Sequence, residues 1–289
     1  MSYLVYYVFI YPLSFLPLRW LYVISDALSM ILKRVLKYRS KVIKENLNLA
    51  FPDRDENYKN NLMNRFYDHL SDLVVESVKS FSISNKQIRK RYAVKGVECT
   101  FKDLEKNRNI IVVSAHYANW EWAALSCPLY FKHKCAVIIT PLSDPFMNKK
   151  LAQSRGRNGY DLVPKQEVKD YISEDTKTPR AIFFLSDQSP SNPDRAYWTQ
   201  FMGIETAVQY GVEKYAREYN MPIYYIHVER DKRGYYDVTV EPLIKEPRSL
   251  DEGQIIEKVT RHIESKIASD PGQWLWSHRR WKHKKRVEN

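Results

Sequence analysis

Short apolar runs bounded by polar residues are the feature that most limits how this 289-residue chain can fold. Three of them lie at residues 109–114, 136–140 and 181–186. Each suits a strand that is covered on both faces, as in a parallel sheet. Helical stretches lie between or after these runs, near residues 119–130, 144–156, 166–174, 206–219 and 251–269. The alternation predicts an α/β domain with a mostly parallel central sheet flanked by helices.

Two later runs predict how the sheet ends. Residues 223–228 and 235–240 flank the turn signal Lys232-Arg233-Gly234, so we expect them to pair as antiparallel strands. Residues 92–98 have the pattern of one more short strand. The predicted sheet is therefore parallel at its centre and antiparallel at one side.

The region before the sheet is helical in pattern. Apolar residues recur at spacings of three and four through residues 41–90. Together with the α/β part at 91–289, this region is predicted to form one domain over residues 41–289, a length that one hydrophobic core can fill.

The first 18 residues contain no charged side chain. They are barely long enough to cross a bilayer, and Pro12 and Pro17 interrupt them. A short anchor helix and a helix lying in the membrane interface are both open, as is a buried helix of a soluble domain. Basic residues at 33–44 follow, and positive charge beside an apolar segment marks the cytoplasmic side. We expect residues 1–40 to associate with the membrane from that side.

The formal net charge of +12 restricts the partners. It favours nucleic acid, an anionic lipid surface or an acidic carrier protein. Nucleic acid is not expected, because it would leave the charge-free N-terminal segment unexplained. Cys99, Cys127 and Cys135 show no CxxC spacing, so we expect neither a disulfide framework nor a metal site.

A histidine follows the first apolar run. Ligands bind at the carboxyl ends of strands in open α/β sheets, and imidazole titrates near neutral pH. His116 is therefore a candidate general base. If it lies in the turn before the next helix, Glu121 can reach back to hold the imidazole, as the acid of a catalytic triad does. A purely structural histidine is the alternative interpretation.

Three more charged residues lie in candidate positions. Arg155 and Arg157 flank Gly156 and could bind phosphate or carboxylate oxygens, or could be solvated at a helix end. Asp187 follows the third apolar run, so we expect it on the same edge as His116, either in the site or as a helix cap.

The stretch at residues 271–282, PGQWLWSHRRWK, alternates tryptophan with polar residues and ends in basic ones. Indoles in the core, contact with an anionic membrane and stacking on nucleic acid are all compatible with it.

These four stretches, in this order and at these distances, resemble the lipid A late acyltransferase family, bacterial inner-membrane enzymes related to the His-x4-Asp/Glu glycerolipid acyltransferases. His116 and Glu121 match the family's catalytic pair. Arg155-Gly156-Arg157 looks like its arginine block, and Ser186-Asp187-Gln188 looks like its aspartate block. The stretch at 271–282 is similar to the family's closing signature and is the most specific match. Residues in the region 38–52 also resemble the family's N-terminal part.

The resemblance implies an O-acyltransferase without a cofactor. Its donor would be an acyl thioester of acyl carrier protein or coenzyme A, and its acceptor a hydroxyl of a lipid A precursor. His116 would be the base, Glu121 its partner, and Arg155, Arg157 and Asp187 would bind the anionic glycolipid or phospholipid. The implied location is the cytoplasmic face of the cell inner membrane. An aminolipid or lysophospholipid acceptor, or hydrolysis by a thioesterase, remain alternatives.

Overall fold

A computed structural model describes residues 1–285. The last four residues of the domain predicted at 41–289 therefore lie outside the described part. The strands are β1 (Tyr92–Lys95), β2 (Ile110–Ser114), β3 (Lys134–Ile139), β4 (Asp161–Pro164), β5 (Arg180–Leu185), β6 (Tyr197–Phe201), β7 (Ile204–Val208), β8 (Ile223–Lys232) and β9 (Tyr235–Ile244). Seven of them form one sheet in the order β1-β9-β8-β2-β5-β3-β4, while β6 and β7 form a separate hairpin.

Five neighbouring strands, β8, β2, β5, β3 and β4, run parallel, and β9 joins β8 antiparallel. The prediction of a mostly parallel sheet with one antiparallel pair is confirmed. Its centre is apolar in the way a doubly covered strand requires, because Ile110, Ile111, Val112 and Val113 are all fully buried. Each of these side chains contributes about 1.5–3 kcal/mol of burial free energy.

The helices are α1 (Ser2–Val5), α2 (Tyr11–Phe15), α3 (Leu18–Met30), α4 (Ser40–Ala50), α5 (Glu56–Lys79), α6 (Asn85–Arg91), α7 (Phe101–Glu105), α8 (Ala123–Ser126), α9 (Pro145–Gly156), α10 (Val168–Ser173), α11 (Gly211–Glu218) and α12 (Gln254–Ser269). Short π-helical stretches at Tyr6–Ile10 and Ile31–Val35 continue the N-terminal helices. The predicted helical region at 41–90 is α4 to α6.

The start of helix α9 is set by the local sequence. The side chain of Asp144 accepts a hydrogen bond from the backbone N–H of Met147 at 2.7 Å, and Pro145 occupies the first helical position. A carboxylate cap followed by proline is a strong helix start. The helix ends near Arg155, which it carries to the edge of the sheet.

The N-terminal helices bury several polar side chains and expose many apolar ones. Ser14, Ser25 and Ser29 are buried against the rest of the protein. Apolar side chains face outwards, each exposed by at least 51%, and we call them the N-terminal apolar surface: Tyr3, Leu4, Val8, Phe9, Phe15, Trp20, Val23, Met30 and Val35. Over residues 1–285, the structure has no helix that combines the length and apolarity needed to span a bilayer.

Buried carboxylates of α5 join these helices to the sheet. Asp72 accepts hydrogen bonds from Ser25 of α3 at 2.7 Å and from Arg230 of β8 at 2.6 Å, and it also binds Arg233. Glu76, one turn further on, is fully buried and accepts from Tyr22 of α3 at 2.7 Å. These bonds fix the position of α3 on α5.

Candidate active site

The carboxyl ends of β2 and β5 bring His116 and Asp187 together. The two strands are parallel neighbours in a register that pairs Ser114 with Leu185, so the residues that follow them emerge side by side. The Nδ1 of His116 lies 2.8 Å from Oδ1 of Asp187. The Asp187 side chain is only 1% exposed, whereas that of His116 is 17% exposed. Asp187 thus lies behind the imidazole, away from solvent.

The second oxygen of Asp187 is also bound. The indole N–H of Trp274 donates to Oδ2 at 2.8 Å. Burial raises the pKa of the Asp187 carboxyl, but the His116 imidazole and the hydrogen bonds from His116 and Trp274 outweigh it and hold the pKa below its usual range. The carboxyl is therefore ionised at neutral pH and accepts a hydrogen bond at each oxygen.

An irregular loop, and not a helix, carries His116. Ala118 has φ +49°, a left-handed conformation that a helix excludes. Asn119 accepts a hydrogen bond from the backbone of Trp122 at 2.9 Å and donates to the buried Glu76 at 2.5 Å. Because this polar anchor holds the loop, the helix predicted near 119–130 starts only with α8.

Glu121 does not pair with His116 as the spacing suggested. Its carboxylate is bound by Arg155 of α9, whose Nε lies 3.1 Å from Oε2 and whose Nη2 lies 2.8 Å from Oε1 and 2.7 Å from Oε2. The expected pairing was wrong because the loop turns Glu121 towards the end of α9. The partner of the imidazole is Asp187, which neighbouring strands place beside it.

Arg157 also lies elsewhere than expected. It donates to the backbone carbonyls of Ser80, at 3.0 Å, and Ile83. These carbonyls follow the end of α5, and Arg157 is absent from the residues that line the cavity described next. In this position it links two parts of the fold, and its role in binding the acceptor stays a prediction.

A cavity of about 610 Å³ opens at His116. Polar and charged residues line it near the carboxyl edge of the sheet, namely Ser114, His116, Glu121, Arg155, Ser186, Gln188, Lys165 and Arg195. Much of the remaining wall is apolar and comes from β3, β5 and α11, with Val137, Ile139, Phe183, Phe184, Leu185, Val212 and Tyr215. Such a wall accommodates a hydrocarbon chain, with the histidine at the polar region.

Comparison with known proteins decides the family. A protein-family model described as "Bacterial lipid A biosynthesis acyltransferase" matches residues 1–283, almost the whole chain. The chain belongs to this family. It is thus an O-acyltransferase, and the family supports acyl transfer onto lipid A.

Three curated relatives of this lipid A biosynthesis acyltransferase support the assignment at low identity. The lipid A biosynthesis palmitoleoyltransferase of Escherichia coli (strain K12) is 22% identical over 253 residues, which cover 86% of this chain and 80% of the relative. The lipid A biosynthesis acyltransferase of Haemophilus influenzae is 22% identical over 251 residues, covering 86% and 79%. The lipid A biosynthesis lauroyltransferase of Escherichia coli (strain K12) is 20% identical over 270 residues, covering 92% and 87%.

Two contributors to the site of this lipid A acyltransferase were not predicted from sequence. Trp274 was recognised only as part of an aromatic stretch, and its bond to Asp187 joins residues 87 positions apart. Glu76 lies within the helical pattern of α5 and accepts a hydrogen bond from Asn119 in the loop. A carboxylate at an otherwise apolar helix position was the one available signal for Glu76.

Proposed function

We propose that this enzyme transfers a fatty acyl chain from an acyl thioester to a hydroxyl of a lipid A precursor, with His116 as general base. The observation that carries the proposal is an imidazole, backed by a buried carboxylate, in the wall of a largely apolar cavity. A hydroxyl needs a base to become a nucleophile, and an acyl chain needs an apolar channel.

The tautomer of His116 follows from its partner. An ionised carboxylate only accepts hydrogen bonds, so Nδ1 carries the hydrogen and Nε2 carries the free lone pair. Nε2 then takes the proton of the acceptor hydroxyl while the hydroxyl oxygen attacks the thioester carbonyl. The C–S bond breaks, and the imidazolium returns the proton to the departing thiolate. Asp187 stabilises the transient imidazolium, as the acid of a triad does.

Arg155 is the best-placed donor for negative charge in the cavity. Its bonds to Glu121 use Nε and Nη2. Within residues 1–285 the Nη1 group makes no hydrogen bond, so it can donate to a ligand oxygen. We assign it to the thioester oxyanion or to a phosphate of the acceptor, with Glu121 as a positioning residue that holds the guanidinium. A single good oxyanion donor lowers the barrier by about 3 kcal/mol.

The donor of the acyl chain is acyl carrier protein or coenzyme A. Both are anionic, and the chain carries a net charge of +12. Lys165 and Arg195 line the cavity and would meet such a donor where its thioester enters. Acyl carrier protein is our preferred donor, since a protein of opposite charge gains most from long-range steering. The reaction as written uses no cofactor.

The N-terminal apolar surface fits the interface of a membrane whose lipids supply the acceptor. Basic side chains at 33–44 lie beside it in sequence, as expected for the cytoplasmic face of the inner membrane. The acceptor would then reach the cavity without leaving the lipid surface. An aminolipid or lysophospholipid is the alternative acceptor, and mass spectrometry of total lipids with and without the gene identifies the species that lacks one acyl chain.

The first test replaces the base. We expect His116→Ala to lower transfer from acyl carrier protein to a lipid A precursor by roughly 10²- to 10⁴-fold, the range of general-base contributions. The measurement is single-turnover transfer of a radiolabelled acyl chain in mixed micelles, with circular dichroism to confirm that the variant is folded.

His262→Ala is a matched control for that test. His262 is similarly half-buried and lies 3.0 Å from a carboxylate, that of Glu241, but it is not among the residues that line the cavity. The control should keep near-normal transfer. Full activity of the folded His116 variant would overturn the proposed role, and label released as free fatty acid while the acceptor stays unacylated would instead indicate a thioesterase.

A further inference from the structure

One segment near the C-terminus contacts both members of the His116–Asp187 pair. Its backbone forms an isolated antiparallel bridge between Trp274 and Tyr117. The N–H of Ala118 donates to the carbonyl of Gln273 at 3.0 Å, and the N–H of Leu275 donates to the carbonyl of His116 at 3.2 Å. The segment therefore holds the loop that carries the imidazole on both sides.

The same segment binds the carboxylate through a side chain. Trp274 is 1% exposed, and its ring packs edge-on against Trp276 at 4.7 Å between centroids and tilted against Phe201 at 5.8 Å. Packing on both neighbours restricts the indole to one orientation. Its N–H, which can only donate, ends 2.8 Å from Oδ2 of Asp187.

A second side chain of the segment holds the loop after Asp187. The backbone N–H of Ser189 donates to Nε2 of His278 at 3.0 Å. Burial lowers the pKa of His278 to about 4, so its imidazole is neutral and able to accept at physiological pH. The Asp187 side chain and the backbone that follows it are thus bound by two residues of one segment, four positions apart.

We propose that Trp274 is a positioning residue that orients the Asp187 carboxylate and so sets the tautomer and basicity of His116. With Oδ2 bound by the indole, the carboxylate cannot rotate away, and Oδ1 stays aimed at Nδ1. The indole bond also withdraws part of the charge that Oδ1 would otherwise present to the imidazole. Trp274 touches neither substrate nor cavity in this role, which deepens the proposed function and rests on it.

The test removes the indole N–H and keeps most of the ring. Trp274→Phe is compared with Trp276→Phe, a matched control in the same segment. Trp276 is fully buried and also donates its N–H, but to the backbone carbonyl of Pro271 at 2.7 Å. Both variants lose a buried indole and one hydrogen bond, and only one loses a bond to Asp187.

We expect kcat of Trp274→Phe to fall about 10- to 100-fold, the range for one hydrogen bond to a charged group, with KM little changed. The acid limb of its pH profile should move to higher pH, because more charge on Oδ1 stabilises the imidazolium form. Trp276→Phe keeps an aromatic ring against Trp274 and leaves the bond between Trp274 and Asp187 in place, so it should keep the wild-type profile and most of the activity. Equal kcat and equal profiles in the two variants would overturn the proposal.

A spectroscopic readout works without substrate, and its first part needs only the wild type. Nitrogen-15 NMR of the full-length wild-type protein reports which nitrogen of His116 carries the hydrogen. The proposal requires protonated Nδ1 in the wild type and a changed Nε2–H/Nδ1–H ratio in Trp274→Phe. Protonated Nε2 in the wild type would overturn it even if Trp274→Phe failed to fold. An inactive wild type with the expected tautomer would instead count against the proposed function alone.

Discussion

The N-terminal helices and the α/β domain differ in what they bury and in what they expose. In the domain, the central strand β2 has all four of its aliphatic side chains fully inside. In α1 to α3, Ser25 is buried beside the core residues Leu18 and Leu21, while Leu4 and Phe9 are 63% and 58% exposed. Exposed apolar side chains in such number often mark an interaction surface. The difference between the two regions is the basis for our proposal that the outer face of the helices contacts lipid.

The inward polar face of the N-terminal helices has its own partners. Asp72 and Glu76 of α5 receive hydrogen bonds from Ser25 and Tyr22 of α3, and burial raises the pKa of Glu76. These groups satisfy one another, so polar bonds attach the helices to the domain together with the buried Leu18 and Leu21, while the N-terminal apolar surface stays exposed. Under the proposed function, this arrangement would let the region contact the membrane while it stays fixed to the domain.

The largest effect should come from making the N-terminal apolar surface polar. We expect Leu4→Ser combined with Phe9→Ser to weaken binding to vesicles of zwitterionic and anionic phospholipid by roughly 10²- to 10⁴-fold, because each side chain contributes about 1.5–3 kcal/mol when buried. Vesicle sedimentation measures the partition coefficient.

Leu49→Ser is the control for this variant, since Leu49 is an exposed leucine of α4. It should leave the partition coefficient near the wild-type value. Unchanged vesicle binding of the double variant would show that the N-terminal apolar surface does not contact the membrane.

The next effect concerns the junction between the regions. Asp72→Asn should lower the free energy of unfolding by about 3–5 kcal/mol, because it leaves Arg230 and Arg233 without their buried counter-charge. Urea denaturation measures the loss, and hydrogen exchange should show the first increase in α3.

Asp237→Asn controls for the simple loss of an ion pair. Asp237 pairs with Lys95 at 2.7 Å, but both side chains are well exposed. Such a pair contributes no more than about 1 kcal/mol. An equal loss of unfolding free energy in the two variants would show that the buried Asp72 contributes no more than an exposed ion pair.

The smallest effect is pH-dependent. Burial lowers the pKa of His69, on α5 near Asp72 and Arg230, from 6.5 to about 4. The unfolded chain takes up a proton below pH 6.5 and the folded chain does so only near pH 4. Stability is therefore complete above 6.5 and falls as the pH drops through this window, by about 1.4 kcal/mol per pH unit for one histidine.

His69→Leu should remove this contribution to the slope. Both ring nitrogens are buried and, within residues 1–285, make no hydrogen bond, so leucine leaves no partner unsatisfied. Urea midpoints of wild type and variant, compared between pH 7 and pH 5, give the difference. The same slope in both proteins would mean that His69 does not titrate as its burial implies.

Much of the fold could be read from the sequence because its central strands are covered on both faces. The apolar runs that became β2, β3 and β5 stand out, and so does the turn between β8 and β9. The edge strand β4 and the hairpin of β6 and β7 were missed. Their residues mix polar and apolar types, since neither element is covered on both sides.

The site was predictable to the extent that strand order determines it. Parallel strands end at the same edge, so the approach of His116 and Asp187 followed from two apolar runs. The pairing of Glu121 could not be deduced in this way. It depended on the left-handed backbone at Ala118 and on the position of Arg155 at the end of α9. Neither can be predicted from the neighbouring sequence.

The sequence by itself determined the type of fold, the family and the edge of the sheet where the chemistry lies, because apolar periodicity and motif order are properties of the chain. Only the tertiary structure decided which carboxylate meets the imidazole and which indole holds that carboxylate. Hydrogen bonds require approach within about 3 Å, and residues far apart in sequence reach that distance only when the whole fold places them there.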